Sequence, residues 1–267
     1  MNPRHALRAL LGIARREALR LVGQKARLAA AIVRPLVWLA IFAAGFRAVL
    51  GLSITPPYET YILYEVYIVP GLAAMMLLFQ GMQSSLSMVY DREMGSMRVL
   101  LTAPLPRWWL LAARLLASTL AAIPLVYLFL LVARLWDVRP PALGYAAVLP
   151  ALVLAGLMLA AMGLALSSLI RQLENFAGVM NFVIFPLFFA STALYPLWRL
   201  DEVSPLLAGV AAANPFTHAV ELIRFALYLR FEPTAALVCA GAFAGFLALA
   251  VLGYDPGRGF WARRVAE

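Results

Sequence analysis

Chemistry in this chain has to come from the few charged residues that interrupt its apolar sequence, and the densest group is Asp91-Arg92-Glu93. These three open a short segment, residues 91–107, set between apolar runs at 68–89 and 108–133. Each flanking run is longer than the about 20 residues that a bilayer crossing needs. The segment must therefore sit in water at one membrane face, yet Met97, Leu100 and Leu101 stay apolar. A water-facing helix with an apolar ridge has a partner to dock on. Asp91 suits the amino terminus of such a helix, which must end before Pro104. Pro104 and Pro106 then turn the chain into Trp108-Trp109, an interfacial anchor. The expected chemistry is docking, with an ordinary connecting loop as the other reading.

A second polar group follows Asn214-Pro215, which marks a capped helix with proline in its first turn. Phe216, Val220, Ile223 and Leu227 recur at helical spacing, and Glu221 and Arg224 stand one turn apart on the polar side. This helix is too short and too charged to span, so it is expected to lie at the outer leaflet or dip partly into it. His218 and Glu221 are also one turn apart, but no His, Cys or acid cluster accompanies them, and no metal is expected there.

The elements that position these groups are membrane helices. Of 267 residues, 64% are hydrophobic and 13% charged, whereas a soluble domain is about a quarter charged. The apolar runs are continuous rather than alternating, which argues against a strand barrel. The net charge of +9 rests on arginine, Lys25 being the only lysine. The arginines flank apolar runs, so they speak for membrane topology and lipid headgroups and not for nucleic acid. Cys239, inside an apolar run, is a small packing residue.

Residues 1–28 hold no uninterrupted apolar core of the signal-peptide kind. They read as an interface helix, with Leu7, Leu10, Leu11, Ala14, Ala18, Leu21 and Val22 on one face. Arg8, Arg15, Arg16, Arg20 and Lys25 occupy the other. Six spans follow, at 29–50, 67–89, 108–133, 144–169, 176–198 and 234–253. The expected fold is all-α, one polytopic membrane domain over 1–267, with segment 90–107 and hairpin 199–233 outside the spans. Basic residues gather in the amino-terminal region, around 90–107, at Arg171 and in the carboxyl tail. Arg47, Arg134, Arg139, Arg199, Arg224 and Arg230 form the minority on the other side. The positive-inside rule then puts both termini and segment 90–107 in the cytoplasm.

Polar residues within the spans leave choices open. Arg34 and Arg47 bracket too short an uncharged stretch. Either both snorkel to opposite interfaces, or one faces a hydrated subunit interface and meets an anionic substrate group. Pro35 would fit the first turn of its helix. Tyr58, Tyr61, Tyr64 and Tyr67 belt the outer interface or stack on a sugar or aromatic ligand, and Glu65 reaches water at the mouth of the second span. Pro70-Gly71 would kink or loosen that span. In the fifth span Asn175, Asn181 and Pro186 stand among phenylalanines, Phe185 included. Its amides hydrogen-bond between helices or line a substrate route.

With these parts placed, the chain resembles the permease subunit of type-2 ATP-binding-cassette exporters over nearly its whole length. One motif is Val69-Pro70-Gly71 followed by Asp91-Arg92-Glu93-Met94-Gly95 and Leu100-Leu101-Thr102-Ala103-Pro104-Leu105. The other is Asn214-Pro215-Phe216-Thr217-His218-Ala219-Val220-Glu221-Leu222-Ile223-Arg224, most similar to the nodulation-type lipo-oligosaccharide branch, with drug and glycan exporters close to it. The resemblance implies a homodimer in a bacterial inner membrane, exporting a lipidic, glycolipid or drug-like substrate along a pathway between the copies. Arg34, Arg47, Asn181 and Phe185 are the pathway candidates. It further implies that Arg92 to Pro104 includes a coupling helix resting on a separate ATPase subunit. Asp91, Arg92 and Glu93 would give polar contacts there, and Met97, Leu100 and Leu101 the buried ridge. Closure of the ATPases would move that helix as a lever.

No Gly-rich sequence here ends in Lys-Ser or Lys-Thr, so ATP and Mg belong to the partner and no cofactor is expected in this chain. A membrane enzyme would need a catalytic constellation, and His5 and His218 fall on opposite sides of the expected membrane. A secondary transporter would favour mid-membrane ionisable residues and inverted repeats, and neither is found. A membrane assembly or scaffold protein stays open.

Overall fold

Within a bilayer every backbone hydrogen bond has to be closed inside the chain, which restricts an apolar sequence of this kind to helices. The computed structural model describes residues 3–46, 56–94, 106–170 and 172–254, and these form ten α-helices. They are α1 (Pro3–Gly23), α2 (Lys25–Phe46), α3 (Tyr64–Glu93), α4 (Arg107–Ala133) and α5 (Gly144–Leu169). After them come α6 (Leu173–Phe189), α7 (Leu197–Val203), α8 (Pro205–Ala213), α9 (Pro215–Leu227) and α10 (Pro233–Gly253). Helices α2, α3, α4, α5 and α10 are long and apolar enough to cross a membrane. The pair α8–α9, bent by 75°, makes a sixth crossing element if taken as one. The chain is an all-α polytopic membrane protein, as its composition required.

Helices α3 and α5 form the centre, in contact along their length. Small residues let them approach: a Cβ on Gly81 would stand 2.7 Å from the Ala160 Cα, so only glycine fits. Around this pair lie α4, α9 and α10, while α2 and α6 pack on α3 from outside. Pro70-Gly71 does not interrupt α3. Gly71 instead makes room for the turn at Ala193, whose Cβ would be 2.8 Å from an added Cβ.

Three boundaries depart from the sequence expectation. The fifth span was expected to reach 198, but α6 stops at Phe189 after 17 residues. Ser191 Oγ donates to the Phe188 carbonyl at 2.6 Å, and Asn214 Nδ2 donates to the carbonyls of Leu187 and Ala190 at 2.8 and 2.6 Å. Side chains thus take over the orphan carbonyls of the last turn. Helix α2 begins at Lys25, which puts Pro35 in its interior and not in its first turn. That proline leaves the Ala31 carbonyl without its helical donor.

Residues 91–93 are the last turn of α3 and not the start of a separate helix. The remainder of the expected segment, with Met97, Leu100 and Leu101, lies outside the described residues, as does Arg47.

The amino-terminal helix divides its expected apolar face. Glu17 and Leu21 are buried, in a helix that packs on α4, whereas Leu7, Leu11 and Val22 stay exposed, as a membrane-facing stripe would. At the opposite end of the bundle, Tyr58, Tyr64 and Tyr67 are buried, and Glu65 is 1% exposed instead of open to water. These tyrosines are internal bolts. Tyr64 donates to the Leu194 carbonyl at 3.0 Å, and Tyr67 to that of Thr192 at 2.9 Å. Tyr61 alone of the four keeps an exposed ring.

Candidate functional site

The base of α3 is held by two sets of polar contacts. Ser87, Asp91 and Arg92 lie within the last two turns of α3, so their side chains reach the neighbouring helices. On one side is Arg114, placed two turns into α4 and buried. Its guanidinium meets Asp91 Oδ2 at 3.0 Å, donates to Ser87 Oγ at 2.6 Å, and approaches Glu17 of α1 at 4.0 Å. Arg16 adds contacts of 3.6 Å to both Asp91 and Glu17. On the other side Arg92 donates to the Ser167 carbonyl at 3.1 Å and to the Ile170 carbonyl. The same guanidinium lies 5.6 Å from the Tyr254 ring, whose hydroxyl is 2.8 Å from Ser167 Oγ. Burial raises the Tyr254 phenol above its ordinary range, against the pull of the Ser167 contact and of Arg92.

Asp91 and Arg92, expected to meet a partner protein, therefore face inward. They fasten α3 to α1, α4, α5 and the end of α10. Of the three, Glu93 is exposed. Sequence reasoning treated Arg114 as a topology marker and did not single out Glu17. One signal was available: Glu17 is the only acid in α1, and Arg114 interrupts an otherwise apolar run.

The far end centres on Arg224. Expected on the polar side of its helix, it is 1% exposed. It forms an ion pair with Glu221 at 2.6 Å, donates to the Thr192 carbonyl at 2.8 Å and lies 4.0 Å over the Tyr67 ring. Burial penalises the charged guanidinium, and the carboxylate, carbonyl and ring face around it offset that cost. Tyr58, in the loop before α3, has its phenol pushed above the ordinary range by burial. Asn214 caps α9 as its sequence foretold, accepting from the Phe216 amide at 2.9 Å. His218 Nε2 sits 3.0 Å from the Ala212 carbonyl, so it carries the proton and bridges α8 and α9. His218, Glu221 and Arg224 line one cavity of about 360 Å³ with Trp198 and Glu232. Buried Phe216, Val220, Ile223 and Leu227 confirm the helical spacing.

The pathway candidates do not meet. Arg34 is exposed on α2, its guanidinium 4.0 Å over the Phe79 ring. Asn181 and Phe185 lie one turn apart on the exposed face of α6, where Phe182 is 78% exposed. An interhelical bond through Asn181 is absent among the described residues, and Asn175 bonds locally to Gln172 at 2.7 Å.

The sequence that folds into this arrangement has relatives among known proteins. Residues 8–228 match the family described as ABC-2 type transporter. The chain belongs to that family. The transport permease ycf38 of Porphyra purpurea is 28% identical over 207 residues, covering 75% of this chain and 67% of that protein. Its namesake in Cyanophora paradoxa is 28% identical over 199 residues, covering 73% and 65%. The chain thus spans about two thirds of the length of these relatives. Membership in the ABC-2 family makes it a transmembrane subunit for transport, with no enzymatic step of its own. The relatives' names do not select the lipo-oligosaccharide branch.

Proposed function

We propose that the chain is the permease of an ATP-driven exporter, working as a homodimer with a separate ATPase subunit and moving an amphiphilic, lipidic or drug-like cargo. In this reading the Asp91 end faces the cytoplasm of a bacterial cell, at its inner membrane, by the positive-inside placement of arginines. The observation that carries the coupling is the fastening of the α3 base. Segment 95–105 leaves α3 where Arg114, Glu17 and Arg92 tie that helix to α1, α4 and α5. A pull on the segment would therefore reach several helices at once, because side-chain contacts join the base of α3 to each of them. ATP binding is assigned to a separate subunit, since the only lysine among these 267 residues is Lys25 and a phosphate loop needs one. Glu93, with Met97, Leu100 and Leu101, would form the docking surface, while Asp91 and Arg92 transmit from behind it.

Homodimerisation is supported by α6. An amide and three phenylalanines, Asn181, Phe182, Phe185 and Phe189, are exposed together. An amide facing lipid is unfavourable, and a second copy would give it a partner.

The test is co-purification with an ATP-binding-cassette ATPase subunit from the same cell, followed by ATPase and vesicle export assays. Leu100→Asp and Glu93→Arg are expected to abolish stimulated hydrolysis and export while the permease still inserts. Export at wild-type rate in both variants would overturn the coupling assignment.

A further inference from the structure

A cavity of about 310 Å³ lies between α2, α3 and α4, next to the α1–α2 junction. That volume falls in the about 300–1,000 Å³ range of small-ligand pockets. Its construction begins in the sequence of α2. Arg27 and Arg34 are seven residues apart, two helical turns, and so share a face. Ala30 and Ala31 between them add almost no bulk, and Pro35 leaves the Ala31 carbonyl without its helical partner. All five residues line the cavity.

The opposite wall comes from α3, where Gln80 and Gln83 offer amides and Met75, Met76 and Phe79 offer apolar surface. No carboxylate lines the space among the described residues. Neither Arg27 nor Arg34 is ion-paired to a carboxylate among the described residues. Arg27 Nε is buried with no hydrogen-bond partner, and its Nη1 reaches only Gln24 Oε1, at 3.4 Å. The charge balance differs sharply from that of Arg114 and Arg224, each of which meets a carboxylate within 3.0 Å. Two guanidiniums that border one partly dry space with no carboxylate paired to either are unfavourable, and an anion placed between them relieves both.

We infer that this cavity takes the net anionic, phosphate-bearing headgroup of a membrane amphiphile. The guanidiniums of Arg27 and Arg34 hold the phosphate oxygens, as planar donors do best. The amides of Gln80 and Gln83 reach the linkage beyond, and the methionines and Phe79 lie along the first carbons of the tail. The inference extends the permease reading by naming a cargo or lipid chemistry. Binding, however, is measured on the purified chain without its ATPase, so the two can fail separately.

The experiment is native mass spectrometry of the full chain in detergent with phosphatidylglycerol or phosphatidylcholine added. One phosphatidylglycerol per chain should be retained, about tenfold more tightly than phosphatidylcholine, the discrimination expected of a charge-assisted contact. Arg27→Ala and Arg34→Ala should each erase that preference. Arg8→Ala with Arg15→Ala, on the exposed side of α1, should leave it intact. Gln83→Glu keeps size and fold but sets a carboxylate against the arginines, and should weaken retention as much as either alanine variant. An equal loss in the α1 variant would reduce the effect to diffuse headgroup attraction and overturn the site. So would undiminished preference in Gln83→Glu. Inorganic pyrophosphate serves as the soluble probe: displacement of the lipid by it supports the phosphate chemistry, while binding of pyrophosphate with no lipid preference assigns the site to a soluble anion and overturns the membrane source.

Discussion

Arg114 and Arg224 are both buried arginines at helix junctions, yet they are held in different ways. Arg224 is closed in by the Glu221 carboxylate, the Thr192 and Tyr67 carbonyls and the Tyr67 ring face. Most of these acceptors are fixed backbone, so the junction of α3, α9 and the turn after α6 has one arrangement. Arg114 is held by the side chains of Asp91, Ser87 and Glu17. Side-chain partners can re-pair when their helices shift. One end is built as a fixed hub and the other as an adjustable linkage, and the adjustable end is where segment 95–105 departs.

The largest effect should come from removing the hub. Arg224→Met leaves Glu221 and two carbonyls facing an apolar side chain, and losing one member of a buried pair costs about 3–5 kcal/mol. Little folded protein should survive detergent extraction, measured by fluorescence-detected size exclusion after heating. Glu221→Gln retains hydrogen bonding from a less buried position and should cost less, about 1–3 kcal/mol. If Arg224→Met melts no lower than the matching change at Arg114, the contrast between the ends is wrong.

At the adjustable end, Arg114→Met should cost less, about 1–3 kcal/mol, because Arg16 still contacts both Asp91 and Glu17 at 3.6 Å. The sharper readout is coupling between sites. A double-mutant cycle of Arg114→Met with Asp91→Asn should return an interaction of about 0.5–3 kcal/mol in thermal stability. ATPase stimulation by the assembled complex should fall more in the single variants than in the double. Additive behaviour in both assays would dismantle the linkage.

Legibility tracked the range of the interaction. The cap at Asn214 and the spacing of Phe216, Val220, Ile223 and Leu227 are local features, and α9 was readable from them. Arg224 was not, because its acceptor in α3, the Tyr67 carbonyl, lies 157 positions away and nothing near it announces an internal partner. Asp91 misled for the same reason. A carboxylate after an apolar run looks like a helix start, whereas Asp91 sits in the last turn of α3 and pairs with Arg114, 23 residues on. The five long spans emerged from apolar length alone, whereas the early end of α6 depends on an amide from Asn214, beyond the reach of any window. Arg34 was singled out as a cation in search of an anion, but its companion Arg27 and the glutamines of α3 became visible only once the helices were set side by side.

A smaller effect is expected at Arg92, which joins the linkage to the α5 end. Its Nη2 donates to the carbonyls of both Ser167 and Ile170, at a reach that the shorter lysine side chain does not match. Arg92→Lys should therefore lower stability by about 1 kcal/mol, the net value of one hydrogen bond, and reduce coupled transport more than it reduces the yield of folded protein. Equal losses in yield and transport would make Arg92 merely structural.

The smallest effect on the isolated fold should come from Asn181→Leu. The residue is exposed on α6 and makes no hydrogen bond to another helix among the described residues, so stability should stay within about 0.5 kcal/mol of wild type, as for surface changes generally. Its consequence should appear only between copies. A cysteine at Phe182, oxidised in the membrane, is expected to crosslink two chains through α6 in the wild-type background and less so when Asn181 is leucine. If crosslinking is unchanged while Asn181→Leu destabilises the monomer, the amide belongs to the bundle after all, and the division into a fixed hub, an adjustable base and a separate intersubunit face loses its third part.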